Sequence, residues 1–173
     1  MAAVQACEIP LNSFLRSFQD GIGFADCYVI DVPEQVSQAA YVEAFYTSPL
    51  FKLERTLLTY LASRPANDAD ARQLAAGQVN RFSAWQVVGQ SPSELLLADF
   101  TGRTRSWLMA VPIDALVQGS GTRLYFGSAV VPRARDGSGS GDLGWPFRAL
   151  LGFHKLYSRL LLRAASRQVR FTQ

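Results

Sequence analysis

The sequence predicts an α+β protein in which an antiparallel sheet is combined with a long C-terminal helix. Three observations favour this fold class. Strand-like segments follow one another between residues 83 and 131 with short connections, which is typical of antiparallel hairpins. Apolar residues recur every three or four positions after Trp145, which indicates one long helix. The length of 173 residues suits one domain with a full hydrophobic core.

We therefore predict a single domain over residues 1–173. Within it, residues 1–23 are predicted to be an N-terminal extension to the fold. Residues 133–144 are rich in glycine and serine and are predicted to form a flexible surface loop.

The first strand is predicted at Asp26–Val32, where apolar residues occupy alternate positions. Two short helices should follow it. Ser37 is the predicted N-cap of the first helix, and Ser48, which precedes a proline, is the predicted N-cap of the second. Another helical turn is predicted at Ala69–Ala76. Four more strands complete the predicted sheet: Ser83–Val88, Glu94–Phe100, Arg103–Val111 and Thr122–Val131.

The long helix is predicted to run from about Pro146 to Ser166 and to have two different faces. Its cationic face carries a basic residue at every fourth position, namely Lys155, Arg159, Arg163 and Arg167. Its predicted apolar stripe is formed by Leu150, Phe153, His154, Tyr157, Leu160, Leu161 and Ala164. We expect the stripe to pack on the concave side of the sheet, which leaves the cationic face in solvent.

Composition excludes several classes of protein. Hydrophobic residues make up 49% of the chain and charged residues 18%, which argues against intrinsic disorder. No apolar run approaches the roughly 20 residues that a membrane-spanning helix needs, so no stable membrane insertion is predicted. The first residues do not follow the pattern of a secretory signal, and the predicted location is the cytoplasm.

No metal or cofactor is predicted. The only two cysteines, Cys7 and Cys27, are too few for a disulfide framework, and we expect them to be isolated and reduced. His154 is the only histidine, which argues against a zinc site. The turn at Gly119–Gly121 is not followed by the lysine and helix start of a phosphate-binding loop.

Charge is distributed unevenly along the chain. Residues 1–100 hold six Lys/Arg against eleven Asp/Glu, whereas residues 101–173 hold eleven against three, so the net charge of +3 conceals an acidic and a basic part. The cationic face of the last helix is compatible with an anionic membrane surface or with the acidic part of the chain, but we favour a solvent-exposed face. No groove-reading or stacking module is present, so no nucleic-acid partner is predicted.

Several short motifs resemble a known superfamily. They are Ala25-Asp26-Cys27-Tyr28 in the first strand, Ser48-Pro49 between the helices, Gly121-Thr122-Arg123-Leu124 at the start of the last strand, and Trp145-Pro146-Phe147 leading through Phe153-His154 to Tyr157. Together with the order of elements they resemble the START-like (SRPBCC, helix-grip) superfamily of lipid-transfer proteins, polyketide cyclases and coenzyme Q-binding proteins, and within it a bacterial branch. The resemblance implies a cavity between a curved sheet and the C-terminal helix.

Five side chains are candidates for lining such a cavity. Trp85, Trp107 and Tyr125 lie on three predicted strands, while His154 and Tyr157 lie on the predicted helix. Ligand cavities favour aromatic walls with a few polar anchors, which is what these residue types offer.

Three functions remain open at this stage. The first is binding of a small hydrophobic molecule, and the second is a cyclase, hydrolase or isomerase that uses the same cavity with His154 as acid or base. The third is a scaffold or interaction protein with a filled core. The sequence leaves any catalytic residue and the oligomeric state undetermined.

Overall fold

The fold is built on one curved, seven-stranded antiparallel sheet. It is seen in a computed structural model that describes residues 3–19, 24–53, 56, 66–113, 120–131 and 145–169, without the side chains of residues 145–154. The strands are β1 (Gln5–Ala6), β2 (Phe24–Val32), β3 (Arg81–Phe82), β4 (Trp85–Gln90), β5 (Glu94–Asp99), β6 (Thr104–Ile113) and β7 (Gly121–Val130). Their order in the sheet is β1-β2-β7-β6-β5-β4-β3. The α+β class and the antiparallel pairing are therefore confirmed.

The sheet is accompanied by the helices α1 (Gln38–Thr47), α2 (Asp68–Ala75) and α3 (Trp145–Gln168). The predicted caps are confirmed, because the Ser37 hydroxyl accepts the Ala40 N–H and the Ser48 hydroxyl accepts the Phe51 N–H of a second helical segment at 49–53. Asn67 and Asp70 form a reciprocal capping box at the start of α2.

One side of the sheet, which we call the helix face, contacts α1 and α3. Its strands contribute an apolar core that includes Tyr28, Ile30, Leu95, Leu97, Leu108, Ala110, Leu124 and Phe126. Helix α3 adds Leu161, Leu162 and Ala165 to the same core, and Val169 joins them directly after the helix. This is the main core of the molecule.

The opposite side, which we call the N-terminal face, is covered by residues 3–19. These residues contain β1 and a 3-10 helix at Phe14–Phe18. They contribute Ile9 and Leu15 to a second core with Cys27, Leu96, Trp107, Met109 and Ala129. The N-terminal residues are thus a layer of the fold that covers an otherwise open sheet face.

Two details differ from the sequence analysis. The sheet has seven strands where five were predicted. The two additional strands, β1 and β3, have two residues each, which is too short for an alternating pattern to be recognised. The loop predicted at residues 133–144 lies outside the described residues.

Candidate functional site

The five candidate residues do not share one side of the sheet. Trp85 and Tyr157 pack against the core of the helix face. Trp107 and Tyr125 belong to the core of the N-terminal face. The prediction that all five line one cavity beside α3 is therefore wrong for Trp107 and Tyr125. Residue 154 lies within α3, but the side chain of His154 is outside the described residues.

Trp107 has a structural environment. It is fully buried, and its indole Nε1–H donates a 2.7 Å hydrogen bond to Glu94 Oε2. The same carboxyl oxygen accepts the backbone N–H of Phe14 at 2.8 Å. Through this shared carboxyl oxygen, the indole helps to hold the N-terminal residues on the sheet.

The second aromatic on that face, Tyr125, is half-buried, and burial raises the pKa of its hydroxyl. Its ring lies 6.1 Å from the ring of Trp107. It therefore belongs to the packing under the N-terminal residues.

The helix face contains a row of polar side chains that the sequence analysis did not single out. Asp26 on β2 pairs with Ser128 on β7, and Ser128 pairs with Ser106 on β6, so all three point to the same side. We call these three residues the polar row. The Ser128 hydroxyl donates to Asp26 Oδ1 at 2.6 Å, and the Tyr28 hydroxyl donates to Asp26 Oδ2 at 3.1 Å.

Helix α1 also contacts the polar row. The hydroxyl of Tyr46 lies 3.4 Å from the hydroxyl of Ser106, and both residues are buried. Tyr28 is buried as well, and this desolvation, together with the neighbouring Asp26 carboxyl, raises the pKa of its phenol. The hydroxyl groups of Tyr28, Tyr46, Ser106 and Ser128 therefore act here as neutral hydrogen-bonding groups.

Helix α3 runs beside this polar region. The Lys155 ammonium lies 5.8 Å from the centre of the Phe24 ring, and the Arg159 guanidinium lies 5.4 Å from the centre of the Tyr28 ring. These contacts align one turn of α3 with the part of β2 that contains Asp26. Ser158 is on the buried side of this turn.

Ser158 carries a polar group without a partner. The residue is 1% exposed, and its hydroxyl makes no hydrogen bond in the described part of the structure. A buried hydroxyl of this kind is uncommon and costs about 1–3 kcal/mol. The indole Nε1–H of Trp85, at the same end of the helix face, is also buried without a partner among the described residues.

The position of Trp85 follows from the sheet register. Phe24 pairs with Val130, Val130 with Thr104, and Trp85 with Asp99 on the neighbouring strand β5. Because Ala98 of β5 pairs with Arg105 of β6, Trp85 belongs to the end of the sheet at which β2 begins, two strands away from Ser106 of the polar row. The arrangement offers aromatic area, hydroxyl groups and a carboxyl in one region, which is suited to binding a polar group attached to an apolar body.

Sequence reasoning missed the polar row for a physical reason. Serine and aspartate on a strand normally indicate its solvent side, whereas here strand pairing places three of them side by side beneath helices. One feature of the sequence did indicate a polar group on this side of the sheet. Ser158 is polar and lies among the apolar positions of a strongly patterned helix.

A depression of about 530 Å³ lies elsewhere, lined by residues 77–81 and Gln90. It is open to solvent and contains none of the residues of the polar row. Within the described residues, no three His, Cys, Asp or Glu side chains cluster as metal ligands. The helices in this part of the chain include none that is both long and apolar enough to cross a membrane.

Comparison with known proteins adds no relative. No protein-family model matches the chain, and no curated protein or solved structure matches it either. The resemblance to the START-like superfamily therefore stays a prediction, and the residues of the site are what bear on function.

Proposed function

We propose that the protein binds a small, mainly hydrophobic molecule with one polar group between the helix face and α3. In this proposal the apolar body contacts the aromatic side chains of the helix face, and the polar group hydrogen-bonds to Ser158 and the polar row. The fold would then be of the helix-grip type, with the curved sheet around α3. The predicted START-like resemblance supports this assignment.

The observation that carries the proposal is the buried, unpartnered hydroxyl of Ser158. Folding should disfavour such a group, since the unfolded chain hydrogen-bonds it to water. A ligand atom that accepts or donates one hydrogen bond would remove this cost. Ser106 and Ser128 lie on the helix face, the side of the sheet that α3 contacts, and offer further hydrogen bonds to such an atom.

Native mass spectrometry of freshly purified protein is the first test, because a hydrophobic ligand held inside a protein commonly survives purification. We expect a bound species that is released on unfolding. Affinity can be measured with a dansyl-labelled fatty acid, whose fluorescence rises in an apolar site. This probe contains both an apolar chain and a polar head group.

The variant Ser158→Ala separates a ligand contact from a structural role. It should weaken probe binding about 2- to 12-fold, the equivalent of one neutral hydrogen bond. It should also leave the ligand-free protein as stable as wild type or slightly more stable, because an unsatisfied hydroxyl is removed. A structural role would produce the opposite change in stability and no change in affinity.

Ser166→Ala is the matched control. Ser166 is 4% exposed on the same helix, but its hydroxyl already donates to the Arg163 carbonyl at 3.0 Å. Its replacement should leave probe affinity unchanged. The proposal fails if no ligand co-purifies and the probe binds wild type and Ser158→Ala equally, and the filled-core scaffold would then be the better hypothesis.

A further inference from the structure

The two cysteines lie next to each other on the N-terminal face, contrary to the expectation that they are isolated. The Cys7 N–H donates to the Cys27 carbonyl at 3.0 Å, directly after the β1–β2 pairs Gln5 with Val29 and Ala6 with Tyr28. The two sulfur atoms are 3.2 Å apart, within the distance of a thiol hydrogen bond.

We propose that Cys7 and Cys27 form a peroxide-sensitive thiol pair whose oxidation fastens the N-terminal residues to the sheet. Directly opposed residues of antiparallel strands have Cα atoms about 4.5–5.5 Å apart. This range lies within the separation that a disulfide bridges without backbone movement. The strand pairing therefore holds the two sulfur atoms in position for bond formation.

The two thiols have unequal environments, which assigns their roles. Cys7 is partly exposed, whereas Cys27 is 3% exposed. The hydrogen bond between the two sulfur atoms, together with the positive charge of Arg123, lowers the pKa of Cys7. The hydrogen bond to Cys7 and burial raise the pKa of Cys27 far above its ordinary value. Cys7 is thus the attacking thiol and Cys27 the resolving thiol.

The chemistry balances with hydrogen peroxide as the oxidant. The Cys7 thiolate attacks one peroxide oxygen, the O–O bond breaks, and the leaving hydroxide takes up the thiol proton to become water. Cys7 is then a sulfenic acid. The Cys27 sulfur attacks the Cys7 sulfur, an S–S bond forms, and the sulfenic oxygen leaves as a second water with the Cys27 proton. Two thiols lose two electrons, and one peroxide gains them.

The bond would close a loop that contains most of the cover of the N-terminal face. Ile9, Leu15 and the 3-10 helix at Phe14–Phe18 all lie between the two cysteines. In the reduced protein this cover is attached to the sheet edge by the two-residue strand β1. Oxidation should therefore suppress opening of the cover, since a cross-link removes the extended conformations of the loop.

The test begins with reduced wild-type protein treated with equimolar and then excess hydrogen peroxide. We expect the intact mass to fall by two hydrogen atoms, both thiols to become unreactive toward iodoacetamide, and peptide mapping to show a Cys7–Cys27 link. Non-reducing electrophoresis should show no link between chains. A disulfide between chains, or overoxidation of Cys7 without the internal bond, would overturn the proposal.

Single variants test the assigned roles. In Cys27→Ser the reaction should stop at a sulfenic acid on Cys7 that dimedone traps, whereas in Cys7→Ser the buried Cys27 should stay reduced at the same peroxide concentration. Equal oxidation of the two cysteines in these variants would contradict the assignment. Circular dichroism checks that the variants fold, and Cys27→Ala replaces Cys27→Ser if the hydroxyl is not tolerated.

Hydrogen exchange tests whether the disulfide suppresses opening of the cover. The experiment uses the wild-type chain, so its result does not depend on whether a variant folds. The Phe14 amide donates to buried Glu94, so its exchange reports on opening of the cover. We expect oxidation to slow this exchange at least several-fold and dithiothreitol to restore it. Unchanged exchange after complete disulfide formation would overturn the clamping role.

Discussion

Glu94 shows how one buried side chain determines which face of the sheet is available. It is 8% exposed, and its Oε2 accepts both the Trp107 indole N–H and the Phe14 backbone N–H. These two bonds connect β5, β6 and the N-terminal residues. Trp107 is consequently a structural residue in this fold, although its residue type fits a ligand-binding wall equally well.

Replacement of Glu94 should therefore destabilise the protein in a graded way. Glu94→Leu leaves two buried N–H donors without an acceptor, at about 1–3 kcal/mol each. Glu94→Gln retains a carbonyl oxygen and should cost less than half as much. Urea denaturation followed by tryptophan fluorescence measures both. Equal losses for the two variants would show that packing, and not hydrogen bonding, is the main contribution of this side chain.

Individual residues were predictable where the signal is local. The Ser37 and Ser48 caps follow from residue type next to a helical pattern, and both are present. The faces of Trp107 and Tyr125 were not predictable. Alternation along a strand divides its residues into two sets, but it does not say which set meets the helix. Here the N-terminal residues cover the second set, and only their pairing in space reveals it.

At the scale of elements, the buried stripe of α3 differs by a small rotation from the predicted one. The predicted stripe included both Leu160, which is 46% exposed, and Leu161, which is 3% exposed, so the prediction is confirmed for Leu161 and wrong for Leu160. The observed buried positions are Ser158, Leu161, Leu162, Ala165, Ser166 and Val169. The cationic face is confirmed, because all four of its basic residues are exposed. Two serines in the buried set explain the error, since hydrophobic periodicity gives them no weight.

This rotation can be tested with adjacent leucines. Leu161→Ala should cost about 2–5 kcal/mol, because it leaves a cavity between α3 and the sheet. Leu160→Ala, one position away and with the same chemical change, should alter stability by about 0.5 kcal/mol or less. Chemical denaturation of both variants measures these losses in the free energy of unfolding. A larger loss for Leu160→Ala than for Leu161→Ala would contradict the observed orientation of α3.

The strands β2 and β7, which lie far apart in the chain, are joined by an ion pair as well as by their ladder. Asp31 and Arg123 are directly opposed, and the guanidinium contacts both carboxylate oxygens at 2.7 and 2.8 Å. The hydrogen bonds from Arg123 lower the pKa of Asp31. Both side chains are more than one third exposed, so solvent limits the strength of the pair.

The lowered pKa of Asp31 gives a defined pH dependence. A carboxyl whose pKa is lower in the folded state stabilises the fold above its unfolded pKa, about 3.9, and this contribution is lost as the pH falls through the folded pKa. Asp31→Asn should thus cost up to about 1 kcal/mol at pH 7. The difference from wild type should shrink below about pH 4. Urea titrations at several pH values measure this difference in the free energy of unfolding. A difference that stays constant down to about pH 2 would contradict the predicted pH dependence.

At the scale of the whole molecule, the sheet order explains how the acidic and basic parts of the chain are joined. Strand β7 lies between β2 and β6, so the last strand pairs with the first long one. Helix α3 then contacts β2 and α1. The Asp31–Arg123 pair and the contact of Arg159 with Tyr28 both cross between the two parts. The acidic and basic parts of the chain thus meet at the β2–β7 pairing and beside α3.

The N-terminal residues form one of three layers, so their removal should affect the entire fold. Deletion of residues 1–18 would uncover Trp107 and take away the buried side chains of Ile9 and Leu15. Each buried side chain of this size contributes about 1.5–3 kcal/mol. Their joint loss approaches the 5–15 kcal/mol that stabilises a typical domain. We expect a large fall in melting temperature and strong binding of anilinonaphthalene sulfonate.

A deletion of residues 1–3 is the matched control. It stops before Val4, the first residue of the described segment that packs against a core, and it should melt like the full chain. Differential scanning calorimetry and dye fluorescence compare the full chain with the two deletion variants. If the longer deletion also melts like the full chain and binds no dye, the N-terminal extension predicted at residues 1–23 is dispensable for the fold. In that case the second core contributes nothing to stability, and oxidation of Cys7 and Cys27 would fasten a segment that the fold does not need.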